Sequence, residues 1–78
     1  MTLEIISPQE IAFSGEIESV TMPGKLGLFT VLKNHAPLIS VLNEGVIAYR
    51  TPSGEEHSFN IKGGIADVEN NIVSVCIY

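Results

Sequence analysis

Turn-forming residues punctuate this chain about every eight residues, and that spacing limits its fold more than any other feature. Pro8-Gln9-Glu10, Ser14-Gly15, Pro23-Gly24, Asn43-Glu44-Gly45, Pro52-Ser53-Gly54, Gly63-Gly64 and Asn70-Asn71 each break the apolar pattern. The runs between them are too short for helices, and none holds a helical period over the ~10 residues a helix needs. Strands are predicted over residues 2–7, 11–13, 16–22, 27–32, 37–42, 46–51, 56–62, 65–69 and 72–78. The clearest alternation puts His57, Phe59 and Ile61 on one face and Glu56, Ser58, Asn60 and Lys62 on the other. In the third strand the parity slips between Ile17 and Val20, which predicts a bulge near Glu18-Ser19. Asn70-Asn71 tolerates the positive φ of a tight hairpin turn. The expected fold is all-β: one domain over residues 1–78, an antiparallel sandwich or barrel of about eight to ten short strands.

Composition narrows the function classes. Seventy-eight residues allow one domain at most;. The single cysteine, Cys76, permits no internal disulfide, which excludes a small secreted scaffold and fits a reducing compartment;. The apolar share of 45% is too high for disorder;. No apolar run approaches the ~20 residues of a membrane helix. Met1-Thr2-Leu3-Glu4 lacks the basic start of a signal peptide, so a soluble intracellular protein is expected. Nine acids against Lys25, Lys33, Arg50 and Lys62 give a net charge of -5. With no basic cluster, neither nucleic acid nor an anionic lipid surface is an expected partner.

Catalytic chemistry finds no support. His35, His57 and Cys76 are the strong metal ligands, and their spacing matches no zinc pattern. The sole aspartate, Asp67, follows Ala66 in a strand, and no Gly-x-Ser-x-Gly elbow exists;. Glu16/Glu18 and Glu55/Glu56 read as solvated surface. Gly24-Lys25-Leu26-Gly27 lacks the Gly-Lys-Ser/Thr and following helix of a phosphate loop. No cofactor or metal is expected.

The glycine-spaced loop Pro23-Gly24-Lys25-Leu26-Gly27-Leu28-Phe29 stands out instead. Its bulky apolar residues either form a partner surface, or alternation buries Leu26 and Leu28 while Phe29 packs under the next turn. Beyond it, Asn34-His35-Ala36-Pro37-Leu38 combines a histidine with a proline that cannot donate to a sheet ladder.

The order of segments resembles a known family. Leu3-Glu4-Ile5-Ile6-Ser7-Pro8, Phe13-Ser14-Gly15-Glu16-Ile17 and Val20-Thr21-Met22-Pro23-Gly24 come first. Gly27-Leu28-Phe29, Asn34-His35-Ala36-Pro37-Leu38, Gly45-Val46-Ile47 and Gly63-Gly64-Ile65-Ala66-Asp67-Val68 follow. From Leu3 to Val75 the chain resembles the epsilon subunit of bacterial and chloroplast F-type ATP synthases. The resemblance implies a flattened ten-stranded antiparallel β-sandwich. It also implies a non-catalytic rotor subunit that binds gamma, rests on the c-ring and couples proton flow to ATP synthesis. Its place would be the cytoplasmic face of the bacterial inner membrane, peripheral and within the complex.

Carried over by residue, Lys25, Leu26, Gly27, Leu28 and Phe29 would face the c-ring. His35 would lie at the junction of gamma and c-ring, and Leu38 and Ser40 would face gamma. Thr30-Val31-Leu32-Lys33 departs from the shorter, proline-containing link of many relatives. Many epsilon subunits also continue into two C-terminal helices that inhibit hydrolysis or bind ATP. This sequence stops at Tyr78, and neither property is expected of it. The rival expectations are a β-sandwich module for a peptide or sugar, which needs clustered exposed aromatics, and a small hydrolase or isomerase built on His35, which needs an acid or base partner.

Overall fold

The computed structural model describes residues 1–78 and consists of nine strands without a helix. They are β1 (Thr2–Ile6), β2 (Ile11–Glu16), β3 (Ser19–Gly24), β4 (Gly27–Leu32), β5 (Leu38–Leu42), β6 (Gly45–Arg50), β7 (Glu56–Ile61), β8 (Gly64–Glu69) and β9 (Ile72–Ile77). Hydrogen bonding is continuous in the order β2-β1-β9-β8-β5-β3-β6-β7, with β4 on β3. The sheet folds over where β5 meets β3 through a single pair, Gly24 with Leu42. Two layers result, β2-β1-β9-β8-β5 and β4-β3-β6-β7.

Alternation builds the core. Leu3 and Ile5 of β1, Val73 and Val75 of β9, and Ala66 and Val68 of β8 are buried. From the other layer Val20 and Met22, Val31, Ile47 and Ile61 meet them, and no polar side chain is buried. Phe13 packs against Tyr49 across the layers with ring centroids 4.5 Å apart and planes tilted by 35°.

Four local expectations change. Gly15 does not end β2, which runs on to Glu16; an extended strand leaves Gly15 under the Phe13 ring. Residues 16–22 are not one bulged strand. The chain corners at Ile17-Glu18 between β2 and β3, and this corner flips the parity. The irregularity lies elsewhere: Ile5 pairs with Phe13 and Ile6 with Ile11, so Ala12 is the extra residue;. Finally, β1 and β9 pair in parallel, because β1 is inserted beside the last hairpin rather than beside its chain neighbour alone.

Candidate functional site

The β3–β4 turn projects Lys25-Leu26 from one end of the sandwich. Its backbone is held by Gly24 pairing with Gly27, and by Lys25 N–H donating to the Val41 carbonyl at 2.9 Å. Gly24 is required for packing: a Cβ there would stand 2.8 Å from the Phe29 ring. That ring folds under the turn and packs against the core. Leu26 is 103% exposed and Leu28 75% exposed. Of the two alternatives, alternation therefore buries Phe29 and leaves both leucines bare. Beside them lie Ile39 and Val41, 74% and 51% exposed. Together these residues line a shallow groove of about 540 Å³.

An apolar row continues from this groove over the outer face of the first layer. Register sets Val41 beside Ile65, Ile65 beside Cys76, Cys76 beside Ile6, and Ile6 beside Ile11. Val41, Ile65, Cys76 and Ile11 are exposed. The next row toward the far end starts at Ile39 and then turns polar, through Asp67, Ser74, Glu4 and Ser14.

The sequence-derived sites do not all meet. β4 rises about 17 Å over its length, so the 25–28 turn and His35 stand at opposite ends of that strand;. His35 is exposed in the β4–β5 connection, where its N–H donates to the Leu32 carbonyl at 3.1 Å and its Nδ1 lies 2.7 Å from the Ala36 carbonyl. Leu38 and Ser40 carry the inward parity of β5, paired with the buried Val68 and Ala66. The outward positions on that strand are Ile39 and Val41. Sequence reasoning missed these because β5, Leu-Ile-Ser-Val-Leu, is apolar on both parities. Ile65 was missed for the same reason, since Ile65-Ala66 offers no polar contrast.

Charge is thinly spread. Arg50 pairs with Glu56 at 3.5 Å over an outer face of the second layer, a solvated contact of small energetic weight;. Glu16 accepts from the Thr2 hydroxyl at 2.8 Å and from the N-terminal ammonium at 3.2 Å. The Thr2 hydrogen bond first, then the ammonium, hold its carboxyl below the usual range. Half-buried Tyr49 packs between Phe13 and His57, and the one strongly exposed aromatic, Tyr78, stands away from them just past the last strand, so the aromatics form no cluster of the kind a sugar site uses.

Comparison with known proteins agrees with this architecture. Residues 1–77 match the family described as the ATP synthase delta/epsilon chain, beta-sandwich domain. The ATP synthase epsilon chain of Chlorobaculum tepidum is 47% identical over 70 residues, covering 90% of this chain and 80% of that protein. The epsilon chain of Chlorobium limicola is 44% identical over 88% of this chain and 78% of its own length. That of Leptospira borgpetersenii is 38% identical over 96% of this chain, but only 58% of the Leptospira protein is covered. Among solved structures, a chain of the Euglena gracilis mitochondrial ATP synthase superposes with a TM-score of 0.90 at 22% identity. The match covers 96% of this chain and 48% of that one. The bare-tipped, nine-stranded sandwich, matched over nearly its whole length, makes this chain a member of the delta/epsilon-chain β-sandwich family of ATP synthases.

Proposed function

We propose that this chain is a non-catalytic subunit of the ATP synthase central stalk, bound to gamma and seated on the c-ring. The observation that carries the reading is the apolar surface gathered at one end of a family sandwich: Leu26, Leu28, Ile39, Val41 and Ile65. A surface of this kind is covered in the working assembly. The relatives are named epsilon chains, and one similar structure is described as the central stalk and c-ring of the Tetrahymena thermophila ATP synthase.

The 25–28 tip is assigned to the c-ring and the outer face along β5 to gamma. Gamma would run from Val41 past Ile39 to His35, and of the two contacts expected for His35 we assign it the gamma one, because the 25–28 tip lies at the other end of β4. On β5 we assign this contact to the outward Ile39 and Val41 ahead of the half-buried Leu38 and Ser40. Docking through two rigid surfaces lets a β-sandwich carry torque without chemistry of its own. The complex would hold the chain at the cytoplasmic face of the bacterial membrane.

The test is co-expression of the tagged chain with gamma from the same organism, followed by affinity purification. A stable complex of the two is expected, and co-purification of the c-ring from detergent-solubilised membranes. Recovery of the chain free of gamma would overturn the reading.

A further inference from the structure

We infer that Asn71, on the β8–β9 turn, is a positioning residue that fixes the His35 loop for docking. The inference rests on the assignment of His35 to the gamma side. The β4–β5 connection has little to hold it: its own hydrogen bonds, His35 N–H to the Leu32 carbonyl and His35 Nδ1 with the Ala36 carbonyl, are local. One long-range clasp supplies what is missing. Asn34 N–H donates to Asn71 Oδ1 at 2.6 Å, and Asn71 Nδ2 donates back to Asn34 Oδ1 at 3.0 Å. The two residues are 37 positions apart. Two reciprocal bonds between planar amides fix both rotations, where one bond would leave the loop free to swivel.

The anchor is itself rigid. Asn70 and Asn71 close the hairpin between Glu69 and Ile72 with φ of 51° and 61°. The Asn71 carbonyl accepts from Thr2 N–H at 2.9 Å, so the turn is tied to β1 as well as to β8 and β9. Asn34 has φ of 65°. Glycine would satisfy all three backbones with less strain. A turn requirement alone therefore explains the backbone at Asn71 but not a side chain that reaches another loop. The side chain explains how residue 35 keeps a fixed place at the end of a short, exposed connection.

Asn71→Gly separates the two roles, since it keeps the turn and deletes the clasp. In the isolated chain, exchange of the Asn34 amide with solvent should accelerate about fivefold, with the β-strand amides unchanged. Affinity for purified gamma should fall about fivefold. In a His35→Ala background the same substitution should make no further difference, because its effect passes through the loop. Asn71→Asp keeps the acceptor for Asn34 N–H and should recover part of the protection. Unchanged Asn34 exchange in Asn71→Gly would overturn the clasp. An equal loss of affinity in the His35→Ala background would overturn its action through His35. If wild-type chain fails to bind gamma while the exchange result holds, the docking purpose falls and the proposed function with it.

Discussion

The two ends of this sandwich are built on opposite principles. At the β3–β4 end, a turn ending in Lys25-Leu26 is anchored by one half-buried ring, and its other large side chains stand bare. At the His35 end, exposed polar side chains bond to one another: Asn34 with Asn71, and Thr2 with Glu16. Hydrophobic burial is undirected, so the first end can seat a partner over a broad area. Hydrogen bonds are directional, so the second end can hold a single side chain in place. The outer face grades between them, from the apolar row of Val41 to the polar row of Asp67 and Ser74.

The largest expected effect tests the anchor of the bare end. Phe29→Ala removes the ring that fills the space under the turn. It should cost about 2–3 kcal/mol in urea unfolding, less than for a fully buried ring because Phe29 is half-buried. Leu26→Ser and Leu28→Ser, on the same hairpin, should each stay within about 0.5 kcal/mol of wild type. Equal losses from Phe29 and Leu28 would erase the contrast between a core residue and a docking residue.

That contrast shows what the sequence could and could not reveal. The strands were legible because turn residues bracket short apolar runs, and the inner face of β7 was legible because His57, Phe59 and Ile61 alternate with polar residues. The tip was visible as an anomaly, but not its outcome, since parity in a hairpin depends on where the turn sits. The outward positions of β5 were not legible because Leu38 to Leu42 carries apolar residues on both faces. Only pairing with β8 decides which are inside. The clasp was invisible: Asn71 reads as an ordinary turn residue and Asn34 as part of the His35 segment, and nothing local links them.

The next effect concerns the apolar row. Val41→Lys and Ile65→Lys lie beside each other on neighbouring strands with side chains pointing outward. Each should weaken gamma binding at least tenfold, measured by titration calorimetry, because a charge would be buried at the centre of a contact. Unfolding midpoints should move little. Ser74→Lys, in the polar row of the same face, is the control and should weaken binding far less. If all three behave alike, gamma does not distinguish the rows and the gradient has no role in docking.

The smallest effect lies at the polar end and depends on pH. The carboxyl of Glu16 is held below its usual range, first by the Thr2 hydroxyl and then by the ammonium of Met1. A carboxylate with a lowered folded-state pKa stabilises the fold above the unfolded-state value, near 4.5, and loses that contribution as pH falls through the folded value;. Glu16→Gln should therefore be slightly less stable than wild type at pH 7, with the gap closing as pH falls below 4.5 and through the lowered folded-state value;. Because Glu16 is exposed, the difference is small and should shrink further in high salt. The same pH change should leave the small difference between wild type and the Leu26→Ser and Leu28→Ser variants unchanged, since neither leucine nor serine titrates in this range. A gap for Glu16→Gln that persists undiminished into acid would mean that the carboxylate acts through its shape and not its charge. The polar end would then be held by the Asn34–Asn71 pair without electrostatic help.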